Sequence, residues 1–327
     1  METKRPTSPA AEEILGGYFP VLDHGFVALV DYMGTDEDIE RAARVSYGYG
    51  TRKTSLTRGL VRYLRRHQHT TPSEMVELKF HCAMPMFVAR QWIRHRTASV
   101  NEYSGRYSLM PLLFYKPDLD HFALQSSDNR QGRASEPAPA ALYEKTLRRW
   151  EKVRDEASRG YRWMVEENVA RELARIDLPL STYTQWYWKI DLHNLFHFLT
   201  LRVDQHAQWE IQEFARVMAG MLKRVAPLSY EAWIDYNVCA HSMSRVEMAA
   251  LRRLLEADVD GIRPKEDAGA LEPEELKVLG LSGREMREFV DKLQPVNIPD
   301  YELDISVMRR AEDVAAELEE AVPGLFE

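Results

Sequence analysis

The chain is expected to fold as α+β, a mixed β-sheet flanked by long helices. Three observations predict this. Strand-like and helical runs both occur, but they do not alternate as βαβ units. VELKFHCAM (76–84) alternates strictly, with Val76, Leu78, Phe80 and Cys82 on one face and Glu77, Lys79 and His81 on the other. Helical patterns run long, over 138–175 and 205–224. At 327 residues, with 45% hydrophobic and 10% aromatic content, the chain can bury a sizeable core.

The elements follow in order. Residues 1–13, rich in Pro, Ser and Thr, read as a flexible tail. GFVALVDYM (25–33) reads as a buried strand. TDEDIERAARVSYG (35–48) reads as a helix capped by Thr35 or Asp36, with acids in its first turn. SLTRGLVRYLRRHQ (55–68) reads as an amphipathic helix with Leu56, Leu60 and Leu64 inside, and Arg58, Arg62, Arg65 and Arg66 as a solvated face. After strand 76–84, Pro85 opens a helix over 85–96. NEYSGRYS (101–108) reads as loop. The helical pattern of 138–175 carries a break near 158–160. STYTQWYWKI (181–190) reads as a strand rich in aromatics and threonine. Trp186, Tyr187 and Trp188 are expected to pack in the sheet and core. Asp191 caps the helix of LHNLFHFLTLR, and a second helix follows over 205–224. Beyond 240 the chain turns charged and contains the breakers GIRP (261–264) and LSGRE (281–285). Residues 241–327 are therefore expected to form a helical C-terminal extension, distinct from a 14–240 domain.

Composition excludes several classes. The formal net charge of -8 argues against a general nucleic-acid binder, whose affinity comes from accumulated Lys and Arg. Two cysteines, Cys82 and Cys239, make neither a disulfide framework nor a four-thiolate metal site. No apolar run is long enough to span a membrane, and METKRPTSPAAEE has no apolar signal core. A cytoplasmic protein is the expectation.

Against that acidic background, RQWIRHRTASVNEYSGRYS (90–108) holds four arginines (Arg90, Arg94, Arg96 and Arg106), with His95 and a single acid, Glu102. On a helix, Arg90 and Arg94 share a face, and Gln91 can meet Arg94 or His95. Arginine forks, the Ser99 and Ser104 hydroxyls and free backbone N–H groups suit phosphates. A surface salt-bridge cluster is the plainer alternative. No G-x-G-x-x-G follows a strand, and YGYG (47–50) is too short to count, so a Rossmann cradle is not expected.

RHRTASVNEYS, an Arg-His-Arg, seven residues and then Ser, resembles the signature of the flavin-dependent thymidylate synthases. HTTPSEM (69–75) upstream is similar to the family's His-x-x-Pro-x-Glu segment. The stretch 178–215 resembles its second block, and PLSYEAWIDY (227–236) the end of that block. The resemblance covers roughly 14–240 and implies an enzyme that methylates dUMP to dTMP. Methylenetetrahydrofolate would supply the carbon, reduced FAD the hydride, and NADPH would re-reduce the flavin. It further implies a homotetramer with a non-Rossmann flavin site between subunits.

Carried over by position, the resemblance puts Thr71, Arg94, His95, Arg96 and Glu102 along FAD, with Asp191, His193 and His197 at its second contact positions. The family commonly has Asn and Arg where Asp191 and His193 stand. Gln91, Arg94, Glu102, Tyr103, Ser104, Gly105, Arg106 and Arg175 would hold dUMP, and Arg202 would join them as the catalytic arginine, stabilising negative charge at N3 of the uracil. His206 would support Arg202. No cysteine nucleophile is implied. Two other classes compete: a nucleic-acid module using Arg58–Arg66 and Arg90–Arg106, and a metal hydrolase on His193, His197 and His206. For the i, i+4 pair His193 and His197, a polar or core role is the commoner outcome, and no H-E-x-x-H is present. Glu166 and Glu167 read as a solvated helix face.

Overall fold

The computed structural model describes residues 5–46, 57–127, 132–258, 261–266 and 269–321. YGYG, Leu56 and the first four residues of the tail lie outside them. The chain forms two compact units. One holds residues up to Trp233 and again from Asp300; the other is Ile234–Pro299.

The first unit is built on a five-stranded sheet. Its strands are β1 (Tyr18–Val21), β2 (Gly25–Met33), β3 (Glu77–Pro85), β4 (Ser99–Glu102) and β7 (Tyr183–Asp191), in the order β1-β2-β3-β7-β4. A separate hairpin pairs β5 (Ala123–Gln125) with β6 (Arg133–Pro137). Every pairing in the main sheet is antiparallel, so the expected mixed sheet is corrected to an antiparallel one. The alternation read in β3 holds: Leu78, Phe80 and Cys82 are fully buried, while Glu77, Lys79 and His81 are half-exposed. On β7, Trp186 and Trp188 join the buried face, and Tyr187 points the other way and stacks on His81. The helices Met86–Trp92, Leu192–Arg202 and Trp209–Val225 pack against the sheet.

Other expectations shift for local reasons. The helix after Pro85 ends at Trp92, not Arg96. Ile93 still bonds four residues back, but the amides of Arg94 and His95 bond to the carbonyls of Gln91 and Trp92, three back. That tighter turn carries Arg94, His95 and Arg96 off the helix. The expected loop 101–108 begins as strand, because Ser99–Glu102 pairs with β7. No break occurs near 158–160: the helix Ala140–Glu166 is continuous, anchored by buried Tyr143, Leu147, Ser158 and Tyr161. One interior glycine costs about 1 kcal/mol, too little to end a helix with four such anchors. The helix expected from Gln205 starts at Trp209. Upstream, Asp204 accepts from the His206 amide at 2.7 Å, a local bond that competes with helix. Thr35, rather than Asp36, caps Asp36–Val45.

The arginines of Thr57–Arg66 are only in part a solvated face: Arg58 and Arg66 are exposed, whereas Arg62 and Arg65 are half-buried. Arg58 and Arg62 pair with Glu231, and Arg65 lies 4.3 Å over the Phe196 ring, burial lowering its pKa to about 10. Val61 and Leu64 are the buried residues of that helix. The tail is docked from Arg5 onward: Ala11 is fully buried, and the Ser8 hydroxyl donates to the Arg224 carbonyl at 2.5 Å.

Residues 241–327 do not behave as one extension. The second unit holds the helices Arg245–Leu254, Pro273–Leu279 and Gly283–Lys292 and a hairpin of Leu255–Asp258 with Gly261–Pro264, around buried Ala250, Leu276, Leu281 and Phe289. From Asp300 the chain belongs to the first unit. Arg309 bridges Tyr18 through two backbone hydrogen bonds, and Val314 packs with Phe26 and Ala83. Leu303 lies so close to Gly220 that a β-carbon there would stand 2.7 Å from its Cγ and 3.0 Å from the Tyr301 carbonyl.

Gly220→Ala therefore sets two effects against each other. Helix propensity alone would gain about 1 kcal/mol. Overpacking costs about 1–3 kcal/mol. A net loss of stability is expected, read as a lower urea midpoint at unchanged slope. A midpoint that rises would show that the returning segment does not pack on this helix.

Candidate active site

The site is assembled from three pieces of chain in the first unit: the turn after Met86–Trp92, the end of Leu192–Arg202, and β4 with its following loop. Trp92 is fully buried and sets the first piece. Its ring meets Trp186 and Trp188 edge-on at 5.5 and 5.3 Å, stacks on Phe198 at 4.9 Å and abuts Phe214 at 5.9 Å. Each such aromatic pair contributes about 0.5–1.5 kcal/mol beyond its buried area. With Trp92 pinned, its neighbour Gln91 is left half-buried and Arg94 and Arg96 are exposed.

Arg202, last residue of its helix, reaches this turn. Its Nε donates to His95 Nε2 at 3.1 Å, and its Nη2 donates to the Gln91 carbonyl at 3.3 Å. The His95 ring also meets Phe198 edge-on at 4.9 Å and His197 at 5.7 Å. Burial, then the positive Arg202 and His197, push the His95 pKa down to about 4. A neutral imidazole can accept from a guanidinium; a protonated one cannot. Burial also lowers the Arg202 pKa.

The third piece is held by β7. Glu102 accepts from the Thr184 hydroxyl at 2.8 Å, and the Tyr103 amide bonds to the Gln185 carbonyl at 2.8 Å. The Tyr103 hydroxyl donates to the Leu109 carbonyl, and the Tyr107 and Ser108 amides bond to Ser104 O at 3.0 and 3.1 Å, closing the loop on itself. Gly105 is buried, and a β-carbon there would lie 2.5 Å from Met110 Sδ and 3.1 Å from Arg175 Cδ. With glycine there, the Met110 and Arg175 side chains lie against the Ser104 loop without having to shift. Arg106 pairs with Glu172 at 2.9 Å.

The structure brings together Gln91, His95, His197 and Arg202 in one group, and Glu102, Tyr103, Ser104, Gly105, Arg106 and Arg175 in another. Among the described residues, no hydrogen bond or ion pair joins the two. Thr71 is exposed at the start of the short helix Thr71–Glu74, which packs against Leu192–Arg202. Asp191 caps its helix, accepting from the Asn194 amide at 2.9 Å and the Asn194 side chain at 2.6 Å, so both of its oxygens are engaged. His193 Nδ1 is buried with no partner. His206 bonds Asp204 rather than Arg202. The metal alternative finds no support: among the described residues, no three His, Cys, Asp or Glu side chains cluster as ligands. No described helix is long and apolar enough to cross a membrane.

Arg90, Arg94 and Arg96 make no ion pair among the described residues, so the surface salt-bridge alternative does not describe them. Sequence reasoning missed Thr184, Gln208, Glu210 and Arg133. Gln91 donates to Gln208, which leads on to Glu210 and Arg133. The signal for Glu210 was an acid in a first helical turn, but Arg133 lies too far away in sequence to be paired with it.

Exposed cations, a neutral histidine accepting from an arginine, and a tightly closed loop leading off an antiparallel sheet are the features that the first unit brings out here. Residues 28–228 match the family model described as thymidylate synthase complementing protein. The chain is 48% identical over 296 residues to the flavin-dependent thymidylate synthase of Ruegeria pomeroyi, covering 88% of this chain and 92% of that one. It is 52% identical over 262 residues to that of Gluconobacter oxydans, covering 78% and 85%. Among solved structures it is similar to the UMP/dUMP methylase PolB from Streptomyces cacaoi bound with 5-Br dUMP, with 30% identity, a TM-score of 0.61 and coverage of 67% of this chain and 98% of that one. The chain belongs to the flavin-dependent thymidylate synthase family.

The neutral state of His95 has a consequence for stability. In the unfolded chain a histidine titrates near 6.5; here it titrates near about 4. Between those values the unfolded chain binds the extra proton, so stability is full above pH 6.5 and falls as pH drops toward 4. Burial lowers the His81 pKa as well, so His81 adds to the same slope. His95→Gln keeps an acceptor for Arg202 but does not titrate. Urea midpoints at pH 7.5 and 5 should differ less in this variant than in the unaltered protein, and an equal difference would sink the assignment.

Proposed function

We propose that this chain converts dUMP to dTMP with methylenetetrahydrofolate as carbon donor and NADPH as reductant, using FAD. The balance is dUMP, methylenetetrahydrofolate, NADPH and a proton giving dTMP, tetrahydrofolate and NADP+. The relative solved with 5-Br dUMP and the relatives named flavin-dependent support the substrate and the flavin. The observation that carries the reading is Arg202. It is held by neutral His95 and the Gln91 carbonyl, and the rest of its fork donates to no described residue.

Bound reduced FAD would supply the hydride that turns the transferred methylene into a methyl. The exposed Arg94 and Arg96 suit its pyrophosphate, and the partnerless Nδ1 of His193 suits a further polar contact. Thr71, His95, Glu102 and His197 complete the proposed flavin set. Asp191 is its weakest member, because both oxygens cap the helix. Gln91, Arg94, Arg175 and the loop of Glu102, Tyr103, Ser104, Gly105 and Arg106 would hold dUMP. Arg202 would stabilise negative charge developing on the uracil. A homotetramer with the site between subunits would account for two half-sites that no hydrogen bond or ion pair joins among the described residues. The purified protein should be yellow, and dTMP should form only when all three substrates are present. A colourless protein that makes no dTMP with added FAD would end this reading.

Arg202→Lys keeps the charge but loses the planar fork. Turnover should fall roughly 10²-fold or more with flavin content unchanged. Near-normal turnover would remove Arg202 from catalysis.

The proposed chemistry uses no enzyme thiol. Cys82 is fully buried, and burial pushes its thiol well up; burial, then Asp235, raises that of Cys239. A nucleophilic cysteine needs the opposite shift. The Cys82→Ala, Cys239→Ala double variant, normalised to folded flavoprotein, should form dTMP at the unaltered rate. Loss of turnover that either cysteine restores would overturn the thiol-free route.

A further inference from the structure

The hydrogen bonds behind Gln91 run in one direction. Glu210 is 3% exposed. Arg133 Nη2 donates to both its oxygens at 2.8 Å, and the Tyr115 hydroxyl donates to Oε1 at 3.2 Å. A carboxylate paired with a guanidinium only accepts. Gln208 Nε2 donates to Glu210 Oε2 at 2.8 Å, which turns Gln208 Oε1 away from the carboxylate. Gln91 Nε2 donates to that Oε1. Gln91 Oε1 is then left over, accepting from no described residue. The two ends of an amide are told apart only by their partners. Here the acceptor at the head of the relay removes the choice at each step. The main chain of Gln91 is held too, by Arg202 Nη2 on its carbonyl.

We infer that Glu210 and Gln208 are positioning residues that fix the Gln91 amide with Oε1 toward the nucleotide, so that Gln91 selects a hydrogen-bond donor on the ligand. The inference rests on the proposed contact of Gln91 with dUMP. That nucleotide offers two such donors, the ring N3–H and the 3′-hydroxyl. A Gln91 amide free to rotate would accept from a donor or donate to an acceptor equally well. The relay thus converts a permissive side chain into a selective one, and it does so from outside the ligand's reach. Gln208 is exposed and makes no capping bond to the helix it precedes, so its side chain is free for this role.

The test uses the full-length flavoprotein and equilibrium titration of three ligands. These are dUMP, its N3-methyl analogue, which lacks the ring N–H, and 2′,3′-dideoxyuridine monophosphate, which lacks the 3′-hydroxyl. The unaltered protein should bind one analogue roughly tenfold more weakly than dUMP, and which one identifies the donor. Gln91→Leu gives the background set by methyl bulk or lost ribose contacts. Gln208→Leu should bring the discrimination down to that background. A merely structural role for Gln208 would weaken all three ligands by one factor and leave the ratios intact, and that result overturns the relay. So does an unaltered protein whose discrimination equals that of Gln91→Leu. In both cases dUMP binding survives, and with it the proposed function. Failure of the unaltered flavoprotein to bind dUMP would remove both.

Discussion

Strand β7 is paired on both edges, and the Trp92 indole is packed against two of its tryptophans. Much of the site hangs on that contact. One edge of β7 carries β3, which runs directly into the helix ending at Trp92. The other edge carries β4, which runs directly into the Ser104 loop. Phe198, one turn before Arg202, closes on the same indole. The three pieces of chain that bear the functional side chains therefore take their positions from one aromatic cluster. Removing a large buried aromatic costs about 3–5 kcal/mol, several times what any exposed ion pair contributes. The apolar cluster, not the charges, decides where the charges stand.

The second constraint is protonation. Arg202 sits half-buried, which lowers its pKa, and its partner is an imidazole rather than a carboxylate. A carboxylate would neutralise the arginine and compete with any anionic ligand or any charge developing on one. Neutral His95 orients the fork without cancelling it. The same burial that keeps His95 neutral leaves Arg202's positive charge uncompensated, and that is the useful state for stabilising an anion.

The residues that could be read from sequence share one property: their partners are near in the chain or follow a regular period. Strand 25–33 was legible as an unbroken apolar run buried along most of its length, and β3 because its burial begins with a period of two. The capping roles of Thr35 and Asp191 were legible because each partner lies within three residues. Strand β4 was not, since SVNE is short and exposed, and its strand character comes wholly from pairing with β7. The early end of the Trp92 helix was hidden for a similar reason: the pull on His95 comes from Phe198 and Arg202, a hundred residues on. The Gln208–Glu210–Arg133 relay was invisible, because its carboxylate pairs across 77 residues with a strand that has no helical or alternating pattern of its own. The return of the chain from Asp300 was likewise masked by a charged composition that reads as appendix.

Many of this chain's arginines are paired: Arg44 with Glu40, Arg62 with Glu231, Arg133 with Glu210, Arg224 with Glu13. Among the described residues Arg90, Arg94 and Arg96 are not, although the chain has 51 acids to 43 basic residues and could supply partners. Leaving an exposed cation unpaired forfeits about 1 kcal/mol or less, so the fold loses little by it. A ligand phosphate gains more, because charge-assisted bonds to a guanidinium are roughly twice as strong as neutral ones. In a chain of net charge -8, an anion is repelled at long range and attracted only where cations stand uncompensated. Under the proposed function, exposed Arg94 and Arg96, which flank neutral His95 in the chain, would make such a place.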